Sequence, residues 1–326
     1  MENLPIIDLH CDLLSFLAEN PSHTIYDDKS NASYPQMQQG GVAVQVLAIF
    51  TPNTSNSFIE ANKQINLLDT ILHSGKFSLF SKSNRNPSSV IQVFPAFENA
   101  LGFCSDSMTL EQGFAYLESV LARFSRILYI SLTWDGENRF GGGNGSRIGL
   151  KEDGKILLQW MSGKKIALDF SHTSDFLADD LLNYIDKKSL DVPVLASHSN
   201  LRSITNKERN LPDFLAQEII TRKGLIGLNF FAPFLGENPM SITKHVQSLL
   251  SLGAENSLCF GADFFPNLLA DYVRSKYQTD LCFFPEIGNS SSYPKALSLL
   301  QSHLHLSQEM LKKIAFDNAF QFITTS

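Results

Sequence analysis

Apolar and polar positions segregate into blocks along this chain. Short, nearly unbroken apolar runs occur at Ile6–His10, Val42–Ile49, Val90–Phe94, Ile127–Leu132, Lys165–Phe170, Val192–Ala196, Leu225–Phe230 and Leu258–Gly261. Runs of that length and continuity predict strands buried on both faces of a parallel sheet. Longer segments between them carry helix-like patterns: Ser57–Ser74, Leu110–Arg126, Ser174–Lys188, Leu211–Arg222 and Ile242–Leu252, then Tyr293–His303 and Ser307–Thr324. Pro294 suits a first helical turn, where its missing N–H costs nothing. This alternation predicts an α/β chain folded as a (β/α)8 TIM-type barrel. No Gly/Ser linker or low-complexity tract interrupts it, so one domain over residues 1–326 is expected.

Most of the apolar runs end in a residue able to hold a metal or move a proton. The first closes on His10, followed by Cys11 and Asp12; others lead to Glu98, His172, His198 and Asp263. In a barrel the C-terminal strand ends converge on one face, where the chemistry is kept. His10 and Asp12 stand two apart, so extended backbone would aim both at one cation, with Cys11 on the opposite side. Asp8 lies on the same alternation and suits a structural role deeper in the barrel. His172 and His198 each follow a Ser at the end of an apolar run, one strand-helix unit apart. They are candidate ligands from adjacent strands, the alternative being hydrogen-bonded core histidines. Glu98 suits a carboxylate bridging two cations, or a helix-capping acid. Asp263 suits proton transfer, or the orienting of a ligand histidine. Arg209 could fork onto a substrate carboxylate or sit on the surface. His23, His73, His245, His303 and His305 close no strand and are expected in solvated or packing roles.

Composition narrows the partners. A net charge of −7, with basic residues clustered only in pairs such as Lys164-Lys165, argues against nucleic acid. No apolar run is long enough to span a bilayer and no leader-like segment opens the chain, so no membrane partner and a cytoplasmic location are expected. The four cysteines lack metal-site spacing and read as buried free thiols. Gly136–Ser146 lacks the Lys-Ser/Thr of a phosphate cradle and is expected to form a flexible flap over the barrel mouth.

Taken in order, the residues resemble the membrane (renal) dipeptidase family of zinc peptidases over almost the whole chain. The markers are Asp8-Leu9-His10-Cys11-Asp12, Gln38-Gln39-Gly40-Gly41-Val42, Phe97-Glu98-Asn99, Leu132-Thr133, Ser171-His172, Ser197-His198-Ser199-Asn200, Arg209-Asn210-Leu211-Pro212-Asp213 and Gly261-Ala262-Asp263-Phe264. The resemblance implies two zinc ions, or other divalent metals, with Glu98 bridging them. His10 and Asp12 would hold one and His172 and His198 the other. Arg209 would bind the carboxylate of a small dipeptide, Asp263 would handle the proton, and a metal-bridging hydroxide would attack the peptide bond. A homodimer is expected on the same ground.

Two departures bear on substrate choice. Trp134 follows Leu132-Thr133 where better-known members carry a histidine that stabilises the tetrahedral intermediate, so Trp134 is a candidate substrate-binding residue instead. Phe265-Pro266 replaces Asp-Gly and makes the rim more apolar. The rival readings are a related barrel metallohydrolase acting on a lactone, amide or N-acyl amino acid, and a non-catalytic metal or peptide binder.

Overall fold

Nine parallel strands form one sheet among the residues described by the computed structural model, 4–82, 89–266 and 270–325. They are β1 (Ile6–Cys11), β2 (Val42–Phe50), β3 (Phe77–Leu79), β4 (Ile91–Glu98), β5 (Tyr129–Ser131), β6 (Ala167–Asp169), β7 (Val194–Ala196), β8 (Leu225–Leu228) and β9 (Leu258–Phe260). The order runs β2-β1-β9-β8-β7-β6-β5-β4, and β4 pairs back onto β2. That pairing closes an eight-stranded ring with helices outside it: a (β/α)8 TIM-type barrel. β3 is an addition, paired with the first half of β4.

The eight apolar runs are the eight barrel strands. β4 differs most from its prediction, reaching Glu98 rather than stopping at Phe94. Pro95 reads as a strand breaker because it cannot donate to the ladder. Here its carbonyl accepts from Leu128, on the side where β3 has ended and β5 has not yet begun. The missing N–H therefore falls in a gap between neighbours, and the strand continues. β3 and the helices Leu13–Glu19, Tyr34–Gln39, Glu152–Met161 and Ala270–Tyr277 lie outside the predicted elements.

Local chemistry explains the helix boundaries. Thr109 and Gln112 form a reciprocal capping box at the start of helix Leu110–Phe124, and Ser33 and Gln36 do the same for Tyr34–Gln39. Leu110–Phe124 turns Gly113, Leu117, Val120 and Phe124 inward at helical spacing. The last predicted helix is present from Gln308 to Thr325, with a π turn over Lys313–Asp317. All four cysteines are free and buried. Among the described residues, no helix is long and apolar enough to cross a membrane.

Candidate metal centre

The strand ends of the barrel deliver six of the predicted side chains to one buried place. Ligand atoms of His10, Asp12 and Glu98 lie within 4.8 Å of one another, as do those of Glu98, His172 and His198, and those of His10, His198 and Asp263. Glu98, the last residue of β4, joins the first two groups. Its Oε2 is 3.2 Å from His10 Nε2, while its Oε1 is 2.9 Å from His172 Nε2 and 3.7 Å from His198 Nε2. One carboxylate thus offers each oxygen to a different set of ligands.

Local backbone departs from simple strand alternation here. Asp12 has φ −98 and ψ 30, at the entry to helix Leu13–Glu19, so a turn rather than extended backbone brings it beside His10. β9 ends at Phe260, and Asp263 stands three residues beyond it. Asp263 and His172 both have positive φ (62 and 66), as does Asn99 beside Glu98 (86). Left-handed backbone at a non-glycine residue costs about 1–3 kcal/mol and is enriched where function over-determines the chain.

Hydrogen bonds with two hydroxyl groups, one across the barrel and one from an adjacent residue, orient two of the rings. The Tyr129 hydroxyl lies 2.7 Å from His10 Nδ1 and donates to the Leu9 carbonyl at 3.0 Å. His10 Nδ1–H must then be the donor to Tyr129, which leaves Nε2 facing the centre. Ser197 repeats this logic. Its hydroxyl donates to Asp169 Oδ2 at 2.6 Å and so accepts from His198 Nδ1–H at 2.6 Å. Asp169 is itself held by the Ser131 hydroxyl and by the backbone N–H groups of Ser171 and Ser197. Such outer partners fix tautomer and orientation in metal sites. Gly227 and Gly261 allow this packing: a Cβ on either would come within 2.0 Å of the Ser197 carbonyl oxygen.

The electrostatics call for positive charge. Burial would lower the His10 imidazole, but Glu98, Asp12 and Asp263 together raise it to about 10. Burial and then Glu98 push Asp12 far above the usual carboxylate range, against the pull of His10. Burial would also raise Glu98, yet His10 and His172 hold it well below the usual range. Asp263 is raised to about 6 by burial, with His10 opposing and Glu98 adding to the shift. His172 and His198 approach Nε2 to Nε2 at 3.1 Å, and His10 Nε2 and Asp12 Oδ1 make no hydrogen bond although fully buried. Imidazole nitrogens and carboxylate oxygens converging on one buried place are a donor set that fits divalent cations of borderline softness.

Above this floor lies a pocket enclosing about 570 Å³, its open mouth included. Phe50, Trp134 and Asp135 line it, as do Phe231, Phe234, Phe265 and Tyr277. Arg209 is buried beside it, donating to the Ser199 hydroxyl (2.9 Å) and the His198 carbonyl (3.1 Å), with its Nε unpaired. Its guanidinium lies 5.6 Å from the Phe234 ring centre. Arg202 is instead paired with Asp175. Asp8 accepts from Gln45 and from Ala262 N–H deep in the barrel, as its alternation suggested. His245 is a packing residue, accepting from Leu201 N–H and facing the Leu235 carbonyl.

Gly136–Ser146 differs from the expected flexible flap. It is pinned by bridges between Asp135 and Asn144, Glu137 and Gly142, and Gly143 and Thr173. A Cβ on Gly143 would lie 1.7 Å from the Trp134 carbonyl oxygen, so this glycine serves close packing. Sequence reasoning missed Tyr129, Asp169, Ser197, Asp135, Asn229 and Tyr277 as parts of the site. Asn229 donates to Asp263 Oδ2 at 2.9 Å. Asp135 Oδ1 faces His172 Nδ1 at 3.6 Å and pairs with Lys276.

Comparison with known proteins agrees with this architecture. The model of the membrane dipeptidase family (peptidase family M19) matches residues 1–325. A metallo peptidase from Rhodobacter sphaeroides, solved with a phosphinate mimic of the dipeptide L-Ala-D-Ala, superposes with a TM-score of 0.82 at 20% identity, covering 98% of this chain and 99% of that one. The dipeptidase AC, a metallo peptidase of family M19, gives 0.81 at 21% identity, covering 100% and 99%. An uncharacterised protein from the pqqA 5′ region of Klebsiella pneumoniae is 24% identical over 245 residues, 70% of this chain and 80% of that protein.

Proposed function

The chain belongs to the membrane dipeptidase family of metal-dependent hydrolases, and from that premise we propose that it is a dinuclear zinc dipeptidase. The observation that carries this reading is Glu98, whose two oxygens face different imidazoles. His10 and Asp12 would hold one cation, His172 and His198 the other, with Glu98 between them. Two zinc ions, or another divalent pair, held there would supply Lewis acidity toward a carbonyl and a bound water.

The protein's own groups do the rest. Asp263, raised toward neutrality and steadied by Asn229, takes the proton of the attacking water and passes it to the departing amine. A carboxyl group poised near the working pH is suited to both halves of that transfer. Arg209 is fixed through two of its nitrogens while Nε stays unpaired, so it can fork onto the C-terminal carboxylate of a dipeptide. Trp134 lines the pocket at the sequence position where better-known family members carry a histidine.

The test is hydrolysis of L-Ala-L-Ala and L-Ala-D-Ala by zinc-loaded and chelator-stripped protein. Cleavage should depend on zinc. Asp263→Asn should keep its metal and lose turnover by about 10²–10⁴. Full turnover in that variant would overturn the proton role. Inertness of metal-replete protein toward every dipeptide, with cleavage of a lactone or N-acyl amino acid, would move the assignment to the related barrel hydrolases.

A further inference from the structure

Two groups of aromatic rings line the pocket above the candidate metal site. In one, the rings of Phe50 and Trp134 meet edge to face at 5.1 Å, and Trp134 lies 6.1 Å from the His172 ring. In the other, Phe231 contacts Phe234 at 4.7 Å and Tyr277 at 5.3 Å, and Phe234 contacts Tyr277 at 5.3 Å. Lys276 ties the two groups together: its ammonium pairs with Asp135 and sits 5.8 Å from the Trp134 ring. Apolar surface facing a pocket gains free energy only if something apolar covers it, and aromatic walls add geometric preference for rings.

Polar groups set the direction in which a dipeptide lies between these walls. Arg209 stands against Phe234, so a carboxylate bound there places the C-terminal residue beside Phe231, Phe234 and Tyr277. The N-terminal residue would then extend past Glu98 and His172, toward Phe50 and Trp134.

We propose that this site selects dipeptides with large apolar side chains on both residues, the C-terminal one covered by Phe231, Phe234 and Tyr277 and the N-terminal one by Phe50 and Trp134. The proposal rests on the dipeptidase reading and deepens it. A histidine donor at position 134 would favour the intermediate of any dipeptide alike; an indole there rewards only those with a side chain to cover it. One methylene in an apolar pocket is worth roughly 10–200-fold, so a partly covered benzyl group against a methyl should be worth at least about tenfold.

The experiment compares kcat/KM for L-Ala-L-Ala, L-Phe-L-Ala, L-Ala-L-Phe and L-Phe-L-Phe on the zinc-loaded enzyme. Calorimetric Kd values for phosphinate mimics of the first and last supply a readout independent of turnover. Each Phe should raise kcat/KM by at least about tenfold, and the Phe-Phe mimic should bind on the order of a hundredfold tighter than the Ala-Ala mimic. Trp134→Ala should shrink the Phe-Ala advantage more than the Ala-Phe advantage; Phe234→Leu should do the reverse. Equal kcat/KM and equal Kd across the panel in the wild type would overturn the specificity and leave the dipeptidase reading standing. Failure of every dipeptide with metal bound would overturn both. Should either variant misfold, the wild-type ratios alone decide the proposal.

Discussion

The floor and the rim of this site are built by different means. On the floor, His10 and His198 are fully buried and each ring is fixed through its second nitrogen by a hydroxyl, from Tyr129 on β5 and from the adjacent Ser197. At the rim, Trp134, Phe50 and Tyr277 are only partly covered and meet each other and their neighbours through ring faces and one ion pair. Floor residues sit at or just beyond strand ends, whose register the closed sheet dictates. Most rim residues sit on loops and on the short helix Ala270–Tyr277, which the sheet does not constrain. Where chemistry must hold within tenths of an ångström, the barrel supplies it from strands; where substrates differ, loops carry the difference.

The largest effect should come from the residue that unites the floor. Glu98→Gln keeps the shape of the side chain and removes the anion shared between the two sets of imidazoles. Such a variant should retain its far-UV spectrum, lose at least one cation of the pair by elemental analysis, and lose hydrolysis by several kcal/mol of transition-state stabilisation, about a thousandfold or more. An E98Q protein that stays fully metallated and active would show that the floor does not depend on a bridging carboxylate.

How far each region could be read beforehand follows from the same contrast. Strands buried on both faces leave continuous apolar runs, so all eight barrel strands were legible, and with them the histidines and acids at their ends. Tyr129 and Ser197 were not. One is an aromatic inside an apolar run and the other a small polar residue before a histidine, and only the register of the closed barrel brings Tyr129 to His10, 119 positions away. Asp12 and Asp263 were legible as candidates but not in their backbone geometry, because turns rather than extended chain place them. At the rim, Trp134 and Phe265 stood out only against the family resemblance. Tyr277 and Lys276 left no signal: Lys276 meets Asp135 across 141 positions, through a short amphipathic helix that the apolar pattern did not mark.

A smaller effect should test whether the outer hydrogen bonds define the floor. Ser197→Ala removes the acceptor that holds the His198 Nδ1 proton and leaves Asp169 with its remaining donors. Loss of such a partner typically costs 10–100-fold in metal affinity or activity. Competition titration against a chromophoric chelator should show a weakening of roughly that size, with the ranking of substrates unchanged. A changed ranking at full metal affinity would mean that Ser197 acts on the pocket rather than on the ligand ring.

The smallest effect separates the two regions at the point where they touch. Asp135 belongs to the rim through Lys276, yet its other oxygen faces His172 of the floor at 3.6 Å. Lys276→Met keeps the aliphatic stem against Trp134 while removing the charge. Lys276 is about a third exposed, so the pair should contribute no more than about 1 kcal/mol to stability. KM for aromatic dipeptides should rise a few-fold as the walls lose their tie, at constant kcat and constant metal content. If metal is lost as well, the Asp135 carboxylate has been steering His172 under the control of Lys276, and the division between a rigid floor and an adaptable rim fails at this residue.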